Sequence, residues 1–209
     1  DVPNIPNSEG NDIGNPIEKA AFDNGLDPSA LLALLKAESG LNPKAERWGT
    51  RTGEARRAIG SVDHETLQRI IDAVWPDISF GYSQRIVLYH ETGDRSKTVE
   101  NCLQVREHVF SNPGEDIASA ARRLAGCFRH PTCDGTPLSA LIVYNAGSDR
   151  RNDPQWMQRW AGNVRAYQGA LAWAEEQLPE TAAVSDPVSM ASKALDIVWG
   201  SLEKIKGIS

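Results

Sequence analysis

One short signal recurs along the chain: a capping residue followed by proline, at Asn15-Pro16, Asp27-Pro28, Asp153-Pro154 and Asp186-Pro187. The Asn or Asp side chain takes up a free amide of the first helical turn. Proline is tolerated at the first helical position because its missing N–H would have had no partner there. Each pair therefore starts a helix, and apolar residues spaced by three and four follow it. A first helix is predicted over 16–24, stopping at Gly25. A second runs from Pro28, carries Leu31, Leu34 and Leu35 on one face, and ends at Gly40 and Asn42-Pro43. Further helices are predicted over 64–74 (Leu67, Ile70, Ile71, Val74), 84–91 and 98–108. Another opens at Glu115-Asp116, with Ile117, Ala120, Ala121, Leu124, Cys127 and Phe128 as its stripe. The last of the main body spans 154–177, with Trp156, Trp160, Val164, Tyr167, Leu171 and Ala174. Leu138 to Tyr144 is a short apolar stretch. Period-two alternation is scarce, so the fold class is mainly α, with room for a small β-hairpin in the 47–83 region. The polar, Gly- and Arg-rich stretch 47–62 reads as loop, and 76–84 as irregular.

These signals divide the chain into a flexible arm over 1–14, a helical domain over 15–177, and a tail over 178–209. In the tail, 178–186 reads as a linker. Val188, Ala191, Leu195, Val198, Leu202 and Ile205 then repeat as a heptad seam. Such a helix packs on the main body, joins copies as an oligomer, or leads into a further domain of a larger parent protein. The chain opens on Asp1-Val2-Pro3 without a signal-peptide pattern, as a processed or excised product would. Hydrophobic residues at 40% and charged ones at 24% are ordinary for a globular protein. A net charge of −6 argues against nucleic acid as the main partner, because phosphate contacts want clustered Lys and Arg. No apolar run approaches the roughly 18 residues of a membrane span.

Three cysteines, Cys102, Cys127 and Cys133, are too few for a disulfide framework. One pair plus a free thiol fits the count. Cys127, His130 and Cys133 with Cys102 invite a metal reading, but no second close-spaced ligand pair supports it. Cys127 also reads as a buried small hydrophobe. No metal and no cofactor is expected. His64, His90 and His108 read as surface or capping residues, and no metalloprotease, nucleophile-elbow or phosphate-loop motif is present.

One residue breaks the apolar pattern. Leu31, Leu34, Leu35 and Glu38 fall at i, i+3, i+4 and i+7, so the face that should be buried ends in a carboxyl group. An ionised carboxylate is costly to take out of water, so such a group pairs or keeps its proton. A carboxyl protonated at neutral pH is what a general acid needs. The bland alternative is a last-turn Glu that bends out to solvent.

The surroundings of Glu38 decide between them. Glu38-Ser39-Gly40-Leu41-Asn42-Pro43-Lys44-Ala45 resembles the first motif of the lysozyme-like lytic transglycosylases, the soluble lytic transglycosylase group and its goose-type lysozyme relatives. Ser79-Phe80-Gly81-Tyr82-Ser83-Gln84 stands where that family has Gly-Leu-Met-Gln. Val143-Tyr144-Asn145-Ala146-Gly147 is similar to its Ala-Tyr-Asn-Ala-Gly. Asn112-Pro113-Gly114-Glu115-Asp116-Ile117 and the helix after it match in kind the Asp-Pro and helix between the second and third motifs. The resemblance covers roughly 16–177. Two departures stand out. Tyr82-Ser83 replaces Leu-Met, and the long gap from Glu38 to Gly81 marks 47–76 as an insertion over or beside the cleft.

The resemblance implies a lysozyme-like fold and a site for peptidoglycan glycan strands. Glu38 would act as acid and then base, cleaving between N-acetylmuramic acid and N-acetylglucosamine and leaving a 1,6-anhydromuramoyl product. That chemistry needs one carboxylate rather than the usual two. Ser39 would lie near the reacting sugar or merely end the helix. Gln84 would line the cleft or begin a helix. Tyr144 and Asn145 would line the sugar site, with Asn145 a buried amide in an apolar stripe. A late aromatic that approaches Glu38 falls on Trp160 by spacing or on Tyr167 by residue type. A goose-type muramidase would need a second carboxylate, for which Asp77 is the candidate. A non-catalytic glycan-binding or structural component of a phage virion or envelope is the rival from another class. The place of action implied is the cell wall or periplasm, for a phage virion or secreted protein.

Overall fold

A computed structural model describes residues 16–178. The expected arm over 1–14 and the heptad tail over 188–205 lie outside the described residues. The described chain is mainly helical with one small antiparallel sheet. Its elements are α1 (Pro16–Asp23), α2 (Pro28–Ser39), β1 (Glu46–Trp48), α3 (Thr52–Gly60), α4 (His64–Val74), β2 (Ile78–Phe80), β3 (Arg85–Ile86), a 3-10 turn (Val87–Tyr89), α5 (Val99–Ser111), α6 (Pro113–Phe128), α7 (Pro137–Ala146) and α8 (Pro154–Gln177). No described helix is long and apolar enough to cross a membrane.

Helix α2 is the axis of the larger half. Asp27 caps it by accepting from the Ser29 amide at 2.8 Å, and Pro28 occupies the first turn. Gly40 closes it in the left-handed conformation (φ 64°), where an added Cβ would be strained. Between the caps, Ala30, Leu31, Leu32, Ala33, Leu34 and Leu35 are all buried. A helix buried on every side needs neighbours on every side. Helices α1, α6, α7 and above all α8 supply them. Each of the four leucines is worth about 1.5–3 kcal/mol of burial.

The smaller half has its own core. Trp48, Leu67, Ile70, Ile71, Ile78, Phe80, Val105 and Val109 form one buried cluster from the sheet and from α4 and α5. Trp48 meets Phe80 edge-on at 5.4 Å between centroids, and Phe80 meets Phe110 at 6.1 Å. The sheet order is β1-β2-β3, both pairs antiparallel, with Arg47 opposite Ser79 and Ser79 opposite Ile86. Side chains alternate across a strand. The row Arg47–Ser79–Ile86 therefore faces one way, while Trp48, Ile78 and Phe80 face the core.

Three expectations change here. The stretch 47–62 is not loop: it ends β1 and forms α3. That helix buries Ala55 and Ala58, whose small side chains leave a faint apolar stripe. The stretch 84–91 is not a helix but β3 and a 3-10 turn. The hairpin forces Gln84 to φ 46°, off the helical path, and Arg85 and Ile86 pair with β2. The segment 76–84, expected to be irregular, contains β2. The insertion itself packs behind the sheet, against the face opposite the Arg47 row.

Glu46 ties the smaller half together. Its nearly buried carboxylate accepts from Arg56 on α3 at 2.6 Å and from Arg106 on α5 at 2.8 Å. Burial alone would push this carboxyl up, but both arginines outweigh it and hold it below the usual carboxylate range. Replacing Glu46 by Ala leaves two guanidinium groups without their acceptor beside an apolar core. The expected loss is about 1–3 kcal/mol in urea unfolding, with Arg56→Ala costing less because its side chain is mostly exposed.

Candidate functional site

Between the two halves lies a cleft of about 270 Å³, lined by Glu38, Arg47, Asp77, Ser79, Gln84, Ile86, Arg123, Tyr144 and Asn145. The sheet row supplies one wall, and α6 and α7 supply the other. Glu38 enters from the last turn of α2, half-buried.

Glu38 is held by two donors on one oxygen. The Tyr167 hydroxyl donates to Oε1, and Asn145 Nδ2 donates to the same atom at 3.4 Å. Burial pushes the Glu38 carboxyl above its ordinary range. The Tyr167 and Asn145 hydrogen bonds and the charges of Arg123 and Arg47 pull against it without cancelling it. Both donors use Oε1, and among the described residues no hydrogen-bond donor reaches Oε2. Tyr167, itself buried beside Glu38, has its hydroxyl pushed well above the usual phenol range, so it remains a donor.

The turn between β2 and β3 is held from behind. Gly81 has φ 77°, and a Cβ there would lie 2.4 Å from Asp116 Oδ2 and 2.4 Å from Val109 Cγ1, so only glycine fits. Asp116, buried on α6, accepts from the Ser83 amide and hydroxyl. Tyr144 Oη donates to the Ser83 carbonyl at 3.2 Å. The turn then presents Gln84, whose amide donates to the Gly81 carbonyl at 2.9 Å and accepts from Ser79 Oγ at 3.0 Å. Gln84 is thus neither free in the cleft nor at a helix start; it sits in a strained left-handed conformation.

The structure brings Glu38, Gln84, Tyr144, Asn145 and Tyr167 together, and it places Asp77 in the same cleft. Asp77 is engaged there by Arg47 Nη2 at 3.0 Å. Ser39 turns back on its own helix, its hydroxyl donating to the Leu35 carbonyl at 2.8 Å, so it acts as the helix-ending alternative. Trp160 lies two turns before Tyr167 and stacks on Trp156 with centroids 5.5 Å apart; of the two aromatics, Tyr167 is the one that reaches Glu38. Asn145 is exposed rather than buried, because α7 turns that face toward the cleft.

Two charged cleft residues escaped the sequence reading. Arg47 lay in presumed loop. Arg123 lay in a helix read only for its apolar stripe; its guanidinium rests 4.2 Å above the Tyr144 ring and donates to the Tyr144 carbonyl at 2.9 Å. Nothing in the local pattern flagged either, since both depend on strands and helices far apart in sequence. Cys102, Cys127 and Cys133 are all free thiols, with Cys102 pushed up to about 12 by burial. Among the described residues no group of three His, Cys, Asp or Glu converges on a metal position, so the Cys127-His130-Cys133 metal reading fails. His64 begins α4, and His108 pairs with Glu115 at 3.2 Å. His90 is half-buried rather than at the surface, and burial first, then Arg85 and His108, push it down to about 4. None of the three lines the cleft.

Comparison of the chain with protein-family models, with curated proteins and with solved structures gives no match.

A raised folded-state carboxyl makes a stability prediction. Below about pH 4.5 Glu38 is protonated in both folded and unfolded chains. Above that, the unfolded chain ionises first, so folding loses stability as pH rises toward the folded-state value. Glu38→Gln removes this loss. The variant should melt with the wild type at pH 4 and a few degrees above it at pH 7, read by calorimetry. A variant that melts lower at pH 7 would mean that the folded protein prefers the ionised form.

Proposed function

We propose that this chain is a peptidoglycan lytic transglycosylase with a lysozyme-like fold, in which Glu38 is the acid and then the base. The observation that carries this reading is the Glu38 carboxyl: half-buried at the end of an apolar helix, pushed toward its protonated form, and gripped on Oε1 by Tyr167 and Asn145. Support comes from the three short motifs that resemble the lytic transglycosylases. Separated by over a hundred residues, they meet at one cleft.

In this reading Glu38 Oε2 gives its proton to the glycosidic oxygen as the bond to the muramoyl anomeric carbon breaks. The carboxylate left behind keeps its two hydrogen bonds and faces the Arg123 and Arg47 charges, which stabilise it in a partly dry site. It then takes the proton of the muramoyl C6 hydroxyl, whose oxygen closes the anhydro ring. Glu38 ends protonated again, and no water is consumed. Asn145, exposed in the cleft, offers its amide to the sugar, and the Gln84 amide keeps one N–H beyond its bond to Gly81. The muramidase alternative rests on Asp77, the second carboxylate of the cleft, which would have to leave Arg47 to hold a water. The natural setting of such an activity is the cell wall, reached from a virion or by secretion.

Digestion of purified peptidoglycan, read by mass spectrometry, separates these cases. The expected products are muropeptides about one water lighter than lysozyme products, with Glu38→Gln slower by at least about a hundredfold. Reducing-end products would turn the reading to Asp77. No release from several peptidoglycan types would leave a binding or structural role. Tyr167→Phe removes a bond that lowers the Glu38 value, so Glu38 would hold its proton to higher pH. The alkaline limb of the pH–rate profile should move upward while the maximal rate falls about tenfold or more, because the ionised form has lost a donor.

A further inference from the structure

The chain carries a net charge of −6, yet its cleft is not acidic. Two guanidinium groups, Arg47 and Arg123, line it opposite the carboxyls of Glu38 and Asp77. Arg47 comes from the sheet wall and Arg123 from the helical wall. Arg47 spends one nitrogen on Asp77, and its side chain is 60% exposed. Arg123 spends one nitrogen on the Tyr144 carbonyl and lays its plane on the Tyr144 ring. Among the described residues no carboxylate forms an ion pair with Arg123, and the residue is exposed. A guanidinium offers five N–H donors in a planar fork, so each arginine keeps most of them for a ligand. Stacking on Tyr144 fixes the Arg123 fork before a ligand arrives, which lowers the entropic cost of binding.

We propose that Arg47 and Arg123 form a carboxylate-binding pair that favours glycan strands whose peptide side chains carry free carboxylates over strands whose peptide carboxylates are amidated. The inference rests on the peptidoglycan reading and names which form of that polymer the cleft takes. Asp77 then holds Arg47 in place until a substrate carboxylate shares its fork. The bonds formed are bidentate and charge-assisted, the geometry that Arg provides and Lys does not.

The test is calorimetric titration of the wild-type chain with muramoyl-L-alanyl-D-glutamic acid and, separately, with its amidated form. Neither contains a bond for the enzyme to cleave. The acid should bind at least about tenfold tighter than the amide, and the preference should shrink as salt rises. Arg47→Gln and Arg123→Gln should each remove most of the preference, and Arg123→Lys should restore part of it. If Arg123 only props Tyr144, its loss weakens both ligands equally and the ratio stays, which overturns the proposal. Equal binding of acid and amide by the wild type overturns it too, as does no binding of either. Digestion of peptidoglycan judges the catalytic reading separately. Digestion without a preference for the acid sinks the pair and leaves catalysis standing. Preference without digestion keeps the pair and removes catalysis.

Discussion

A helix with no exposed face from Ala30 to Leu35 dictates much of this molecule. Its burial requires α1, α6, α7 and α8 around it, and its emergence at Glu38 marks where the bundle opens. The carboxyl at that point is neither in water nor fully inside. Water is too scarce to favour the charge, and the nearby arginines are not close enough to override burial. The raised carboxyl of Glu38 is thus a consequence of how α2 is packed, and the cleft forms where the surrounding helices stop covering it.

The contrast with Glu46 shows what decides such a balance. Both carboxyl groups lose water on folding. Glu46 receives direct hydrogen bonds from two guanidinium groups and is held below the usual range. Glu38 receives a phenol and a side-chain amide, with its arginines acting only through space, and is held above it. Contact, more than proximity of charge, separates the carboxyl held below the usual range from the one pushed above it.

The hairpin turn joins the two halves at the site. Gly81 leaves no room for a side chain between the turn and α6, and Asp116 and Tyr144 fasten Ser83. Burial pushes the Asp116 carboxyl up while the Ser83 and Tyr82 donors pull it back, so the group is matched to the turn it holds. The strain in Gln84 is sustained by this surrounding hydrogen bonding, and the reward is an amide fixed at the cleft wall.

The helices and the position of Glu38 were legible because caps, proline and 3.6-residue spacing are local properties of the chain. Residues such as Leu31, Leu67, Ile117 and Val164 kept the burial their spacing implied. Helix α3 was not legible, since Ala55 and Ala58 make too small a stripe to outweigh its polar neighbours. Strand β3 was not legible, since two residues carry no periodicity and Val87, Leu88 and Tyr89 read equally well as a helical turn. The sequence by itself determined the mainly helical class, the apolar axis and the carboxyl at its end. Only the tertiary structure decided that Tyr167 rather than Trp160 reaches Glu38, that Ser39 turns away, and that Arg47 and Arg123 share the cleft. Those facts depend on the angle and register at which distant elements pack, and no local spacing encodes them.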